Sequence, residues 1–373
     1  MAGRIHHLEE GRLLLIMWLK RILTTTLVST VTVALSTLSA HAIGEGKDKN
    51  DTHKTQGNVG GDGTLSASVS NIRIKYVSGG NGGGKEGNLG TVDPNWKPPA
   101  CWYEPEFTPE QLKKFVDTDG GGDVGIHESW FGKGLWTDHY RDGKSADNFD
   151  LHSPTNSSAV GYKDYNLGKG GYFWRGVAPD PADPDSWNCG RIMFWVAAGE
   201  TPNDPNMPTP ETLAEYAYNK VKVPTTKIEL KPAAKSTVNL PTWVWQNKGA
   251  FTEVKVRAEL PHTNLWAETT AKPLALHLDP GTSDAETTPT SGDCTINADG
   301  SVGTAYKPGD AGLTPSCSVT YLRSTGGQPY QLKASITWQI TWKGTGRTGG
   351  GLPNGTFDTT QGVNVQEIQA VNR

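Results

Sequence analysis

The chain has 373 residues, 35 of them Lys or Arg and 39 Asp or Glu, for a formal net charge of −4. That balance argues against nucleic acid or an anionic membrane surface as the main partner, since both recruit proteins through clustered basic side chains. The length admits two domains, or one with extensions.

Residues 1–42 read as an export signal. Lys20 and Arg21 form a basic start, Ile22 to Leu38 is apolar but Thr-rich, and Ala40-His41-Ala42 offers a small-x-small cleavage site. Glu9 and Glu10 suit such a leader poorly, so Met17 is an alternative start. A retained anchor is the competing reading, although the Thr and Ser content makes the run a weak span. Four of the basic and two of the acidic residues lie in this leader, leaving 31 against 37 and a net charge near −6. No other run approaches membrane length, so no membrane insertion is expected once the leader is removed.

Cys101, Cys189, Cys294 and Cys317 all follow the leader. An even count in an exported chain favours two disulfides, of three possible pairings. Proximity in sequence favours Cys101–Cys189 with Cys294–Cys317. No CxxC or nearby His supports a zinc site.

Residues 43–95 are expected to be a disordered Gly-rich linker. Within it Ile72, Ile74 and Tyr76 alternate and mark one possible strand. Gly79-x4-Gly84-Lys85 formally matches a phosphate loop, but Glu86 stands where Ser or Thr should hold magnesium, and no helix follows.

Residues 96–222 are expected to form a loop-rich, Trp-rich α+β domain. WKPPACWYEPEF favours extended or polyproline geometry. Thr108-Pro109-Glu110-Gln111 is a capped helix start, with Leu112, Phe115 and Val116 facing inward as far as Asp117. Residues 118–190 are expected to be loop-rich, and Arg191 to Ala197 a buried strand. Thr209-Pro210 opens a second helix through Leu213, Ala214, Ala217, Tyr218 and Val221, which Pro224 stops.

From residue 223 to 373 the pattern is β only, and the expected fold class is mainly β, ending in an immunoglobulin-like antiparallel sandwich. Its anchor is Tyr330 to Lys343, where Leu332, Ala334, Ile336, Trp338, Ile340 and Trp342 recur at strict period two. Val254, Val256, Ala258 and Leu260 repeat the pattern. Leu265 to Thr270 and Leu274 to Leu278 read as separate strands. In Gly362 to Val371 a change of phase predicts a bulge near Gln366.

Three segments carry a resemblance: Cys101-Trp102-Tyr103-Glu104-Pro105 with Thr108 to Gln111, Val238 to Trp243, and Val365 to Arg373. Over roughly residues 96–373 the chain resembles a group of uncharacterised exported actinobacterial proteins. The resemblance implies export and this architecture, and supplies no catalytic residue.

Several constellations bear on chemistry. From Asp117 to Glu128 the chain fits most of a twelve-residue calcium loop, with Asp117, Asp119, Asp123 and Glu128 as ligands, although Gly121 replaces a ligand at position five. A solvated Gly/Asp turn is the plainer reading. For a hydrolase, Glu104 and Glu106 sit among aromatics but are expected to face apart, and His127, His139 and His152 with Asp138 match no catalytic motif. A glycan-binding face would use exposed Trp and Tyr between 96 and 190, with Trp102 and Trp136 as the rings to test, against the alternative that these rings are core. The reading best supported is a secreted, non-catalytic structural or interaction protein of the bacterial envelope, with an envelope protein or glycan as partner.

Overall fold

The computed structural model describes residues 64–65, 70–79, 86–119, 136–145, 160–180, 182–224, 228–233, 235–248 and 251–368. The expected leader therefore lies outside the described residues.

The centre of the molecule is the strand Tyr330–Gly344, which pairs antiparallel with Trp266–Asp279 on one side and Gly349–Gln366 on the other. Its period-two pattern is borne out in burial: Leu332, Ala334, Ile336, Trp338 and Ile340 are buried, while Gln339 and Thr341 on the opposite face are exposed. Trp342 is half-buried. Outward from Trp266–Asp279 follow Val254–Glu259, Arg73–Ser78 and Thr64–Leu65, all antiparallel. Beyond Gly349–Gln366 lies Lys235–Thr237, joined in parallel. Two short strands, Asp293–Thr295 and Gly90–Thr91, pair with the long ones, giving nine strands among the described residues. Part of the expected linker thus belongs to the sheet, because Ile72 and Ile74 find apolar partners there.

Leu265 to Thr270 and Leu274 to Leu278 form one strand rather than two. The chain passes through Pro273 with a local shift of register before Ala275, which relieves the missing amide donor. The last strand also begins earlier and ends earlier than its sequence suggests. It stops at Gln366, and Ile368 is exposed, so the change of phase marks the strand's end and no bulge. Within the strand, Gly355 allows close approach to a helix: a Cβ there would meet the Tyr218 Oη at 3.0 Å.

That helix, Pro210–Tyr218, packs on the sheet's buried face. Thr209 and Thr212 satisfy each other's backbone amides in a capping box, at 3.1 and 3.2 Å. Leu213, Ala214 and Ala217 are buried, and the two alanines let the helix lie close enough for the Thr269 hydroxyl to donate to the Ala214 carbonyl at 2.9 Å. A second sheet of four strands, Ala285–Thr288, Ser318–Tyr321, Pro241–Trp245 and Glu229–Lys231, shares the same core through Leu230, Val244, Val319 and Tyr321. The Cys294–Cys317 disulfide links the sheets, since Cys294 lies on the large one and Cys317 adjoins Ser318–Tyr321 of the small one.

The Trp-rich segment builds a three-stranded antiparallel sheet from Trp102–Phe107, Gly171–Val177 and Phe194–Ala197. WYEPEF is thus a ladder strand, accommodating its proline by a register shift between Pro105 and Phe107. The helix Pro109–Asp119 follows, closed at its start by Thr108 and Gln111 at 2.8 and 3.2 Å. Leu112 and Val116 pack with Trp136, Tyr140, Tyr165 and Phe173 in one aromatic cluster. A second small cluster holds Tyr103, Trp174, Cys189 and Phe194. Trp102 and Val177 instead join the core of the large sheet, so apolar packing runs across the boundary expected at residues 222 and 223.

Candidate functional site

Of the eleven described indoles, Trp102, Trp136, Trp174, Trp243 and Trp338 are buried and the other six half-buried. Trp102 and Trp136, the rings that would have tested a sugar-binding face against the core reading, are each 0% exposed. They are core: Trp102 packs edge-on to Tyr216 at 5.2 Å, and Trp136 stacks on Tyr140 at 5.3 Å.

Glu104 and Glu106 do not face apart. Residues two apart in a strand share a face, and both carboxylates meet Arg175 from the neighbouring strand. The Arg175 Nε lies 2.9 Å from Glu106 Oε2, and its Nη2 3.5 Å from Glu104 Oε1. Glu104 also accepts from the Ser70 hydroxyl at 2.9 Å, the Asn71 amide at 2.7 Å and the Trp102 indole at 3.3 Å. Asn71 Nδ2 donates to Glu106 at 2.7 Å. Burial pushes the Glu104 carboxyl above the usual carboxylate range, while Arg175 and the donors pull the other way. The arrangement is a buried polar lock that ties residues 70–71 to the Trp-rich sheet, with Glu104 fully buried.

His139 and Asp138 also separate. Asp138 points into water and pairs with Lys144 at 3.0 Å. His139 is buried, its Nδ1 3.1 Å from the Lys144 carbonyl, which makes that nitrogen the protonated one. Among the described residues its Nε2 has no partner, and burial lowers its pKa, against the pull of the Lys144 carbonyl. His127 and His152 lie outside the described residues.

The expected calcium loop begins inside a helix. Pro109–Asp119 carries both Asp117 and Asp119, and Asp117 pairs with Lys113 one turn back. Asp123 and Glu128 lie outside the described residues. Among the described residues no three metal-ligating side chains gather.

Among the described residues a polar groove of about 460 Å³ lies beside the Cys101–Cys189 disulfide. One wall is the approach to the first Trp-rich strand, with Lys97 and Cys101. A second is Asp185 and Asn188 from the short 3-10 helix Pro184–Cys189, and the third is Glu215 from the helix Pro210–Tyr218. Asn206 closes the edge: its Nδ2 donates to the Asn188 carbonyl at 3.0 Å, and its own carbonyl accepts from the Tyr103 amide at 3.1 Å. The disulfide can lie against the strand because residue 176 is glycine. A Cβ there would meet the Cys189 carbonyl oxygen at 2.1 Å.

Glu215 is the groove's unusual group. Burial, and then repulsion from Glu211 one turn earlier, push its carboxyl up to about 7, against the pull of a hydrogen bond from the Trp96 side chain. A carboxyl poised there changes charge near neutral pH. Neither Glu215 nor Asp185 had drawn notice in the sequence; the only trace is the Glu211/Glu215 repeat at like charge, which a solvated helix face also shows.

No family model, no curated protein and no solved structure matches the chain. The two disulfides point to an oxidising, extracytoplasmic setting, and no helix among the described residues is long and apolar enough to cross a membrane.

Proposed function

We propose that the chain is a secreted, non-catalytic interaction protein of the bacterial cell envelope, in which an immunoglobulin-like sandwich carries a Trp-rich module and its polar groove. The observation that carries this reading is where the polar groups are spent. Glu104, Glu106 and Arg175 are consumed in a buried lock, whereas the open polar wall gathers beside Cys101–Cys189. The net charge, the export signal read over residues 1–42 and the actinobacterial resemblance support the compartment. The buried indoles speak against a stacking face for sugars and in favour of recognition by polar groups.

The test is retention of the chain on isolated bacterial cell walls. Wild type should be retained, and Asn188→Trp, which fills the groove, should reduce retention more than tenfold with an unchanged melting temperature. Equal retention of the variant, or release of soluble fragments from the wall material, would contradict the reading.

A further inference from the structure

The outward face of the large sheet gathers cations that lie far apart in sequence. In Arg73–Ser78, Val254–Glu259, Trp266–Asp279 and Tyr330–Gly344 the side chains of Ile74, Val256, Ala271 and Ile340 point into the core, so those one residue away point outward. Register then lays Lys75, Arg257, Glu268 and Lys343 in one row across the four strands. Arg73, Lys255 and Lys272 stand on the same face, two residues from members of the row or, for Lys272, four. The helix Pro210–Tyr218 and the smaller sheet share the core on the opposite side.

Three carboxylates answer these six cations. Glu253 pairs with Lys255 at 2.7 Å, Glu259 with Arg257, and Glu268 with Lys343 at 3.0 Å. Among the described residues Arg73, Lys75 and Lys272 take part in no ion pair, and all three are exposed. The face thus holds an excess of three positive charges in a chain whose net charge is −4. Whole-chain charge hides it, because the cations come from four strands that only the fold brings together.

We infer that this face binds a linear phosphodiester polymer of the cell wall, laid across its four strands. The cations are spread over two dimensions rather than turned in on one point, which suits a chain of repeated charges and not a single small anion. Neighbouring strands about 4.8 Å apart spread the row over about 15 Å, so the occupant must repeat its charge over that span. Gln339 and Thr341, exposed on the same face, offer hydrogen bonds to the hydroxyls of a polyol phosphate. Nucleic acid is served less well: the face has one indole, Trp266, half-buried and already covered by the Arg257 guanidinium at 4.0 Å, which leaves no open ring for a base to stack on. The choice of a wall polymer rests on the envelope reading, whereas the charge match stands without it.

The experiment is calorimetric titration of the full chain with synthetic poly(glycerol phosphate) from about 50 to about 200 mM salt, beside a single-stranded oligonucleotide of matched charge and anionic phospholipid vesicles. Neutralising three phosphates should make affinity fall about twentyfold over that range. Arg73→Gln, Lys75→Gln and Lys272→Gln combined should weaken binding by at least about tenfold and flatten the salt dependence, with an unchanged melting temperature. The control, Lys169→Gln with Lys248→Gln and Lys307→Gln, removes the same charge from exposed lysines elsewhere and should bind like wild type. No binding of the polymer, an equal loss in the control, or equal or tighter binding of the oligonucleotide or the vesicles would overturn the inference. Walls chemically stripped of anionic polymer separate this face from the groove. Retention there without polymer binding would sink this inference alone, and polymer binding without such retention would sink the groove reading alone.

Discussion

The sheet core and the Trp-rich module use the same large side chains to different ends. In the sheet, Trp338 is one more knob in a row of aliphatics spaced by the strand period, and the fold follows from alternation. In the module, Trp136, Tyr140, Tyr162 and Phe173 pack on one another at 5.2 to 5.9 Å among short and irregular elements. The module even holds Asp164, Tyr165 and Asn166 in succession at φ of 50, 55 and 58°, a left-handed turn that L-residues resist. Alternation on a regular backbone lays out the first region, where Cys294–Cys317 adds one link between its sheets. The second has short strands and leans on the Cys101–Cys189 disulfide and a buried ion triad, and the groove lies where the two meet.

The comparison can be broken at its staples first. Replacing Cys101 and Cys189 by Ala should cost about 4.6 kcal/mol, and the Cys294/Cys317 pair about 3.4, on a loop-entropy account of separations of 88 and 23 residues. Urea unfolding of the two double variants would measure both, and the reverse order would show that the module does not lean on its cross-link. Trp338→Ala should cost about 3–5 kcal/mol through the cavity it leaves under the sheet. Glu104→Ala should reach a similar 3–5 kcal/mol for a different reason, because Arg175 and three donors lose their shared acceptor.

Two smaller effects sharpen the contrast by pH. Glu215 has a raised pKa in the fold, so ionising it costs stability, a cost that grows as pH rises from about 4.5 to about 7. After allowance for its partial exposure, Glu215→Gln should gain about 1 kcal/mol at pH 8 and nothing at pH 4. His139 is depressed from 6.5, so the unfolded chain takes the proton first and stability falls as pH drops below that value. His139→Asn should flatten this acid limb in thermal melts, whereas Trp338→Ala should leave its slope unchanged.

Legibility in the sequence followed the same divide. Period two in Leu332 to Trp342, and the Thr-Pro starts of both helices, state their structure locally, because backbone geometry alone sets which side chains share a face. The strand from Gly349 was illegible, since GGGLPNG has too few side chains to show alternation and takes its conformation from Tyr330–Gly344. WYEPEF was obscured by its proline and by the Pro98-Pro99 pair before it. The pairing of Glu104 and Glu106 on Arg175 was there to be read from the strand period, but their common partner lies 69 residues away for the closer contact. The groove was the least legible feature, being assembled from segments near 97, 185, 206 and 215 that only the tertiary fold brings together.

The most direct test of the account is native-state hydrogen exchange across the two regions. Trp102 and the helix Pro210–Tyr218 share the core of the large sheet, so amides of Trp102–Phe107, of that helix and of Tyr330–Gly344 should open with one common free energy. If the Trp-rich strand and the helix exchange through a separate, lower-energy opening while the central strand stays protected, the groove is not held by a core that the two regions share, and the account is wrong.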